Sequence, residues 1–348
     1  MRNSWHWKWG VVGAVLMAAL YGADTPRPNR LEGAGCDLLD PYCNVGRGHL
    51  FVRSLSPGLL LRPNVSMMRM PVGAAGRFQY ASELDWGNVY NYQENAFVID
   101  AEFLSWNQRF LWTLREGVEV GFALPVVYRM GGILDGLIEG FHRTMGLGNA
   151  HRDDRPRNDV LLEIQRDGDV AFRNTSTYLG LMDIPVFGSW LISTGDECLP
   201  AVSLHAGFSI PVGDEDEWTG LGKPLYGVGM LLSKRLGTSD HILGLGGRIT
   251  YADVKEVAGI ALYSWNYNVM LVWEYEWDRD LTWVVEYLYY SPVAKDYYEF
   301  SDPIHEIQVG FKYQLYPKVE LEFSLMENMF NFNNSTDFGF HLGLTWDF

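Results

Sequence analysis

The sequence predicts an all-β fold: one antiparallel transmembrane β-barrel of about twelve strands, with an irregular amino-terminal segment and one short amphipathic helix in a long loop. Three observations point there. In the final strand, Phe338, Phe340, Leu342, Leu344, Trp346 and Phe348 share one face, while Gly339, His341, Gly343, Thr345 and Asp347 share the other. Side chains alternate along a strand, and chain ends usually fray into water, so a greasy ribbon kept to the last residue suits a wall that meets lipid. The chain is 47% hydrophobic and 14% aromatic, yet its body holds no apolar run long enough for a membrane helix. The amino terminus reads as an export signal: Arg2 and Lys8, then the apolar core Gly10 to Leu20, then the small residues Gly22 and Ala23.

These signals divide the chain into a signal peptide over residues 1–23, an amino-terminal leader over 24–76 and a barrel over 77–348 carrying an insertion at 129–175. The formal net charge of −16 becomes −18 without Arg2 and Lys8. That balance argues against nucleic acid, whose phosphates need a basic face. Three cysteines fit an oxidising compartment, and a short bridge between Cys36 and Cys43 is favoured among the three possible pairings. A metal site is not expected, since His49 is the only other ligand type near them, and no cofactor is implied.

In chain order, Gly46 to Pro57 alternates turn residues with apolar pairs and has no clean period. This predicts an irregular stretch packed on or inside the barrel. Clear alternation follows. Phe78, Tyr80, Leu84 and Trp86 oppose Gln79, Ala81, Glu83 and Asp85, and Trp112 to Val126 repeats the pattern against Thr113, Arg115 and Glu119. Between them, Phe97, Ile99, Ala101 and Phe103 are read as the lipid-facing stripe, which sends Asp100 and Glu102 into the lumen.

From Gly131 the period changes. Ile133, Leu134, Leu137, Ile138, Phe141 and Met145 recur at helical spacing, predicting a short amphipathic helix and then the charged loop His151 to Arg157. Asp167-Gly168 inside Leu161 to Asn174 is a hairpin signal. Strands resume at Tyr178. Tyr263, Trp265, Tyr267, Val269, Leu271, Trp273, Tyr275 and Trp277 form an outward stripe that is aromatic at both ends, as interfacial girdles are.

Two elements of this pattern carry a family resemblance. Gly48, Leu50, Arg53, Ser54 and Pro57 sit where a family of Gram-negative outer-membrane barrels, domain-of-unknown-function family 3187, has a Gly-x-Leu-x-x-Arg-Asn-x-x-Pro element, with Ser54 in place of the Asn. Asp135, Ile138, Glu139, Phe141, His142, Gly146, Leu147 and Arg152 are similar to the family's central Asp-x-x-Ile-Glu-x-Phe-His segment. The resemblance implies an outer-membrane barrel and assigns no activity. It also implies that Trp346 and Phe348 act as the assembly signal read by the barrel insertion machinery.

The candidate polar lumen cluster is Asp100, Glu102, Arg115, Glu119, Asp135, Glu139, His142 and Arg248. Inward acids would favour cations in an open pore; paired with bases, they would rigidify a closed barrel. Function is expected to be a channel or transporter for small solutes in the outer membrane, with lipid and the insertion machinery as partners. A membrane-embedded hydrolase is the alternative, with Ser203 and His205 sharing a strand face but lacking an adjacent acid. A structural or receptor barrel reading ligands through its loops is a third.

Overall fold

A computed structural model describes residues 43–348 except 63–68, 146–151, 153–155 and 332, and gives only the backbone of Leu137, Phe141, His142 and Met145. The expected signal peptide, Cys36 and residues 24–42 and 63–68 of the leader lie outside the described residues. The first strands are β1 (Phe78–Gln93), β2 (Phe97–Arg115) and β3 (Val118–Met130). After the helix Asp135–Met145 come β4 (Leu161–Arg166), β5 (Asp169–Asn174), β6 (Tyr178–Leu181) and β7 (Ile184–Ser193). The chain continues with β8 (Ala201–Ile210), β9 (Leu225–Arg235), β10 (His241–Ala252), β11 (Glu256–Val257) and β12 (Ile260–Ala261). It ends with β13 (Trp265–Glu276), β14 (Leu281–Tyr290), β15 (Ile304–Tyr316), β16 (Val319–Asn328) and β17 (Phe338–Asp347).

Twelve of these close into an antiparallel barrel, running β1-β2-β3-β7-β8-β9-β10-β13-β14-β15-β16-β17 and back to β1. The closing seam pairs Gln79 with Asp347 through to Asn88 with Phe338. Closure removes the sheet edges, which hydrocarbon could not hydrogen-bond. The burial pattern alternates as lipid outside and a filled lumen inside require. On β10 and β13, Leu243, Leu245, Ile249, Trp265, Tyr267 and Leu271 are exposed, while Arg248, Asn266, Asn268 and Glu274 are buried. At one rim the connections are short, such as Pro317-Lys318 between β15 and β16 and Asp278-Arg279-Asp280 before β14. The opposite rim carries the long loops.

The expected hairpin forms as β4 and β5. Asp167 and Gly168 both hold positive φ (54° and 88°), which a two-residue primed turn requires. Two departures shape the long-loop rim. Between Phe122–Val186 and Val126–Leu181 the β3 partner slips by one residue. Met182 and Asp183 are both buried at that break, so the bulge turns both side chains inward. Pro125 and Pro185, which cannot donate to a ladder, flank the same break.

The second departure corrects the sequence reading of β2. Pairing of Gly87 with Phe103, Val89 with Ala101 and Asn91 with Ile99 continues the inward phase of Glu83 and Asp85. Phe97, Ile99, Ala101 and Phe103 therefore point into the barrel mouth. Asp100 and Glu102 lie on the outer face, in phase with Trp106 and Trp112. They stay dry because the insertion after β3 folds over them: Glu102 accepts the Leu134 N–H at 2.5 Å, the Ile133 N–H at 2.8 Å and the Trp86 indole N–H at 2.8 Å. A buried carboxylate needs such donors, and here the incoming turn of the helix supplies them.

Candidate functional site

The lumen is occupied by the chain's own amino-terminal segment. It enters at the short-turn rim, where Asn44 donates to Asp196 O at 3.0 Å and accepts from the Arg235 N–H at 3.2 Å. It then rises along inward carboxylates. Gly48 N–H donates to Glu274 at 3.0 Å, Leu50 N–H to Glu286, Phe51 N–H to Glu322 at 2.5 Å and Arg53 N–H to Asp85 at 3.2 Å. The hydroxyls of Ser54 and Ser56 donate to Glu306 at 2.6 and 2.8 Å. An extended segment without a sheet partner has orphan N–H groups; the wall carboxylates take them.

Midway, the Phe51 ring lies between two cations, 3.8 Å from the Arg109 guanidinium and 4.8 Å from the Lys312 ammonium. Each cation is held by a wall acid, Arg109 by Glu83 at 2.5 Å and Lys312 by Glu322 at 3.2 Å. His341 bridges Asp85 at 2.7 Å and Glu322 at 3.1 Å, tying this girdle across the β17–β1 seam. Desolvated cation–ring contacts contribute about 2 kcal/mol each.

At the long-loop rim the contacts turn apolar. The helical turn Pro57–Leu60 ends in Leu60 and Leu61, both buried. They belong to one apolar cluster with Leu55, Phe97, Ile99, Phe103, Trp218, Leu221, Val254, Val257, Ile260, Leu262, Val293 and Phe300. The Trp218 indole N–H donates to Pro57 O at 2.7 Å, and Arg62 donates to Tyr263 O. The chain is next described back at the short-turn rim, where Arg69 meets Gln79 and Glu119. Two strengths of hold result: hydrogen bonds to carboxylates through the barrel, and an apolar knot at its mouth.

Charge distribution explains the fit. Cys43 to Arg77 contains Arg47, Arg53, Arg62, Arg69 and Arg77 and not one Asp, Glu or Lys, in a chain whose net charge is −16. A basic segment thus lies in an acidic barrel. That local absence of acid was the sequence signal for its place, and alternation alone does not register it. The elements resembling family 3187 divide between the two ends of this arrangement. Gly48, Leu50, Arg53, Ser54 and Pro57 are the luminal segment, and Asp135 and Arg152 pin the insertion outside.

The predicted polar cluster is not one cluster. Glu119 faces the lumen, accepting from Thr113 at 3.3 Å and pairing with Arg69 at 3.5 Å. Arg248 also faces the lumen and lines a small cavity with Leu59 and Arg62. Arg115 is exposed beside the β2–β3 turn. Asp135, Glu139 and the outward-facing Asp100 and Glu102 belong to the insertion and the surface beneath it. Asp135 pairs with Arg152 at 2.9 Å and accepts from Asn88 at 3.1 Å, Arg152 reaches Asp337 at 2.5 Å, and Glu139 pairs with Arg157. The His142 side chain lies outside the described residues.

Trp346 stacks on Tyr80 at 5.4 Å, and Phe348 closes the seam by donating its N–H to Phe78 O at 2.9 Å. Cys43 is disulfide-bonded and Cys198 is a free, exposed thiol. In the turn that holds Cys198, backbone N–H groups of Leu199 and Cys198 donate to Asp196 and hold its carboxyl below the usual range.

The luminal acids that dominate the site, Glu274, Glu286, Glu306 and Glu322, stand on the polar phase of their strands, and nothing in that alternation marks them as acceptors for a polypeptide. Ser203 and His205 do meet at 2.8 Å, and His205 meets Ser189 at 3.1 Å. Ser203 is fully buried and its histidine is bonded to a second serine, so no acyl substrate reaches that hydroxyl in this conformation. Among the described residues, no group of side chains could hold a metal ion.

Comparison with solved structures places the fold among outer-membrane barrels. The chain resembles the COG4313 outer membrane channel from Pseudomonas putida F1 with a TM-score of 0.53 at 10% identity, covering 82% of this chain and 100% of that one. The NanC porin aligns with a TM-score of 0.45 at 11% identity, over 76% of this chain and 98% of that one. The KdgM porin in complex with disordered oligogalacturonate aligns with a TM-score of 0.41 at 8% identity, over 78% and 99%. No curated protein matches the sequence. A family model does: it covers residues 42–348, from the luminal segment to the closing strand, and the chain belongs to the family described as protein of unknown function DUF3187.

Proposed function

We propose that this chain is an outer-membrane channel for small solutes, held closed in the conformation described by residues 43–62. The reading includes export through residues 1–23, a Cys36–Cys43 bridge, and recognition of Trp346 and Phe348 by the insertion machinery. The short-turn rim then faces the periplasm, as in bacterial barrels generally. The carrying observation is the filling. A passage with polar walls and an apolar mouth runs through the barrel, and what blocks it is a stretch of the chain that the wall grips by hydrogen bonds and apolar contacts. A barrel with a purely structural role could close its lumen with wall side chains alone.

The wall charges give the open state its selectivity. Glu83, Asp85 and Glu322 keep wall partners in Arg109, His341 and Lys312. Glu274, Glu286 and Glu306 are bonded to Gly48, Leu50, Ser54 and Ser56 of the segment. Withdrawal of the segment removes its arginines from the lumen and leaves these three carboxylates facing water, so the open pore selects cations. Planar-bilayer recording tests this. The full-length barrel should pass rare current steps, a barrel lacking residues 43–72 should conduct steadily, and both should prefer potassium over chloride. Silence from both barrels, each shown to be folded, would refute the channel.

A further inference from the structure

Beside the luminal segment a cavity of about 210 Å³ lies at the short-turn rim. Three parts of the chain enclose it: the rising limb from Val45 to Phe51, the returning limb around Arg69 to Val72 with Arg77, and the barrel wall. At roughly 30 Å³ per liquid water, the volume corresponds to about seven waters, or one small ring compound.

Its chemistry is two-sided. Arg47, Arg69 and Arg77 converge on it from the segment, and Lys312 from β15. Each guanidinium keeps a nitrogen uncommitted. Arg47 uses Nη1 on Gln314 and Glu320 and Nη2 on Arg279 O, leaving Nε. Arg69 uses Nη1 on Gln79 and Nε on Glu119, leaving Nη2. Arg77 places Nε and Nη2 on Asp347, leaving Nη1. The rest of the wall includes Val45, Met70, Val72, Leu231 and Val272, an apolar surface that water wets poorly. Three carboxylates also line the space, but each is already engaged. Glu320 holds Arg47 at 2.6 Å, Asp347 holds Arg77 at 2.6 Å, and Glu274 holds Gly48 N–H at 3.0 Å.

We propose that this cavity is a binding site for a small organic anion, a monocarboxylate with a short apolar body. The spare guanidinium N–H groups meet the carboxylate, and Met70, Val72, Leu231 and Val272 cover the body. Such a ligand touches both limbs of the segment and the wall at once. It therefore binds the filled barrel and stabilises it by mass action.

Benzoate is a suitable probe, with benzylamine and inorganic phosphate as comparators, in calorimetric titration of the full-length protein in detergent micelles. The expected result is saturable benzoate binding that raises Tm, at least tenfold tighter than either comparator. Arg69→Gln should weaken it tenfold or more, since a charge-assisted bond is lost. Met70→Trp fills the cavity without removing charge and should abolish binding even where an arginine variant fails to fold. Absence of saturable benzoate binding, phosphate or benzylamine binding as tightly, or a wild-type affinity in folded Met70→Trp would each overturn the site. None of these readouts involves current, so a failure here is separable from a failure of the channel reading.

Discussion

Leu60 and Leu61 form the tip of the luminal segment, each 1% exposed, inside the apolar knot that closes the long-loop rim. Replacing both by alanine removes buried methyl groups and leaves cavities, at about 2–5 kcal/mol per residue. The two are neighbours and share contacts, so about 5 kcal/mol is a fair joint figure rather than the sum of two maxima. That loss falls on the filled state, since in an emptied barrel the segment no longer contacts the loops. At about 1.4 kcal/mol per factor of ten, the ratio of open to filled barrels should rise by roughly three and a half orders of magnitude. Single-channel recording in planar bilayers reads this as open-time fraction, with Leu114→Ala, 61% exposed on the lipid face, as the matched control. Folded Leu60→Ala/Leu61→Ala barrels with the open fraction of the control would refute the reasoning, because the knot would then not hold the segment.

Three other outcomes are expected. Arg152→Ala leaves Asp135 buried without its cation and loses Asp337, at about 3–5 kcal/mol for a broken buried pair. Limited proteolysis should then cut between Gly131 and Val160 at least a hundredfold faster while the barrel resists. Deleting Phe348 removes the residue whose N–H closes the seam on Phe78 and which the assembly reading needs. Outer-membrane fractions should contain far less heat-modifiable barrel, and an undiminished yield would count against that role. Mass spectrometry of the mature, unreduced protein should find one maleimide-reactive thiol, Cys198, and a peptide joining Cys36 to Cys43; two further free thiols would sink the bridge.

Much of the wall was legible because the environment imposes one rule on it. Lipid outside forces every second residue of a spanning strand to be apolar, and β13 and β17 obey it from rim to rim. The rule ends where the lipid does. At the long-loop rim, Phe97, Ile99, Ala101 and Phe103 face a dry mouth and Asp100 and Glu102 face a covering insertion, so polarity inverts while the backbone phase continues unbroken. Read locally, that stretch looks like another lipid-facing stripe; only its partners Gly87, Val89 and Asn91 reveal the inward phase. The candidate polar cluster divided for a related reason. Asp135 and Glu139 stand on the helix and Glu119 on β3, and sequence spacing carries no information about which side of the wall an insertion folds on.

The sequence by itself determined the barrel, its antiparallel cadence, its closing strand and its acidic interior, because each is a consequence of period-two chemistry against lipid. Tertiary structure alone decided what fills the lumen. Gly46 to Pro57 has no helical or strand period, since its N–H groups bond to side chains from β1, β13, β14 and β16 scattered over more than two hundred positions of the chain. Hydrogen bonds of that kind leave no repeat in the segment that makes them. They leave a charge imbalance, arginine without acid, whose meaning appears only when an acidic wall surrounds it.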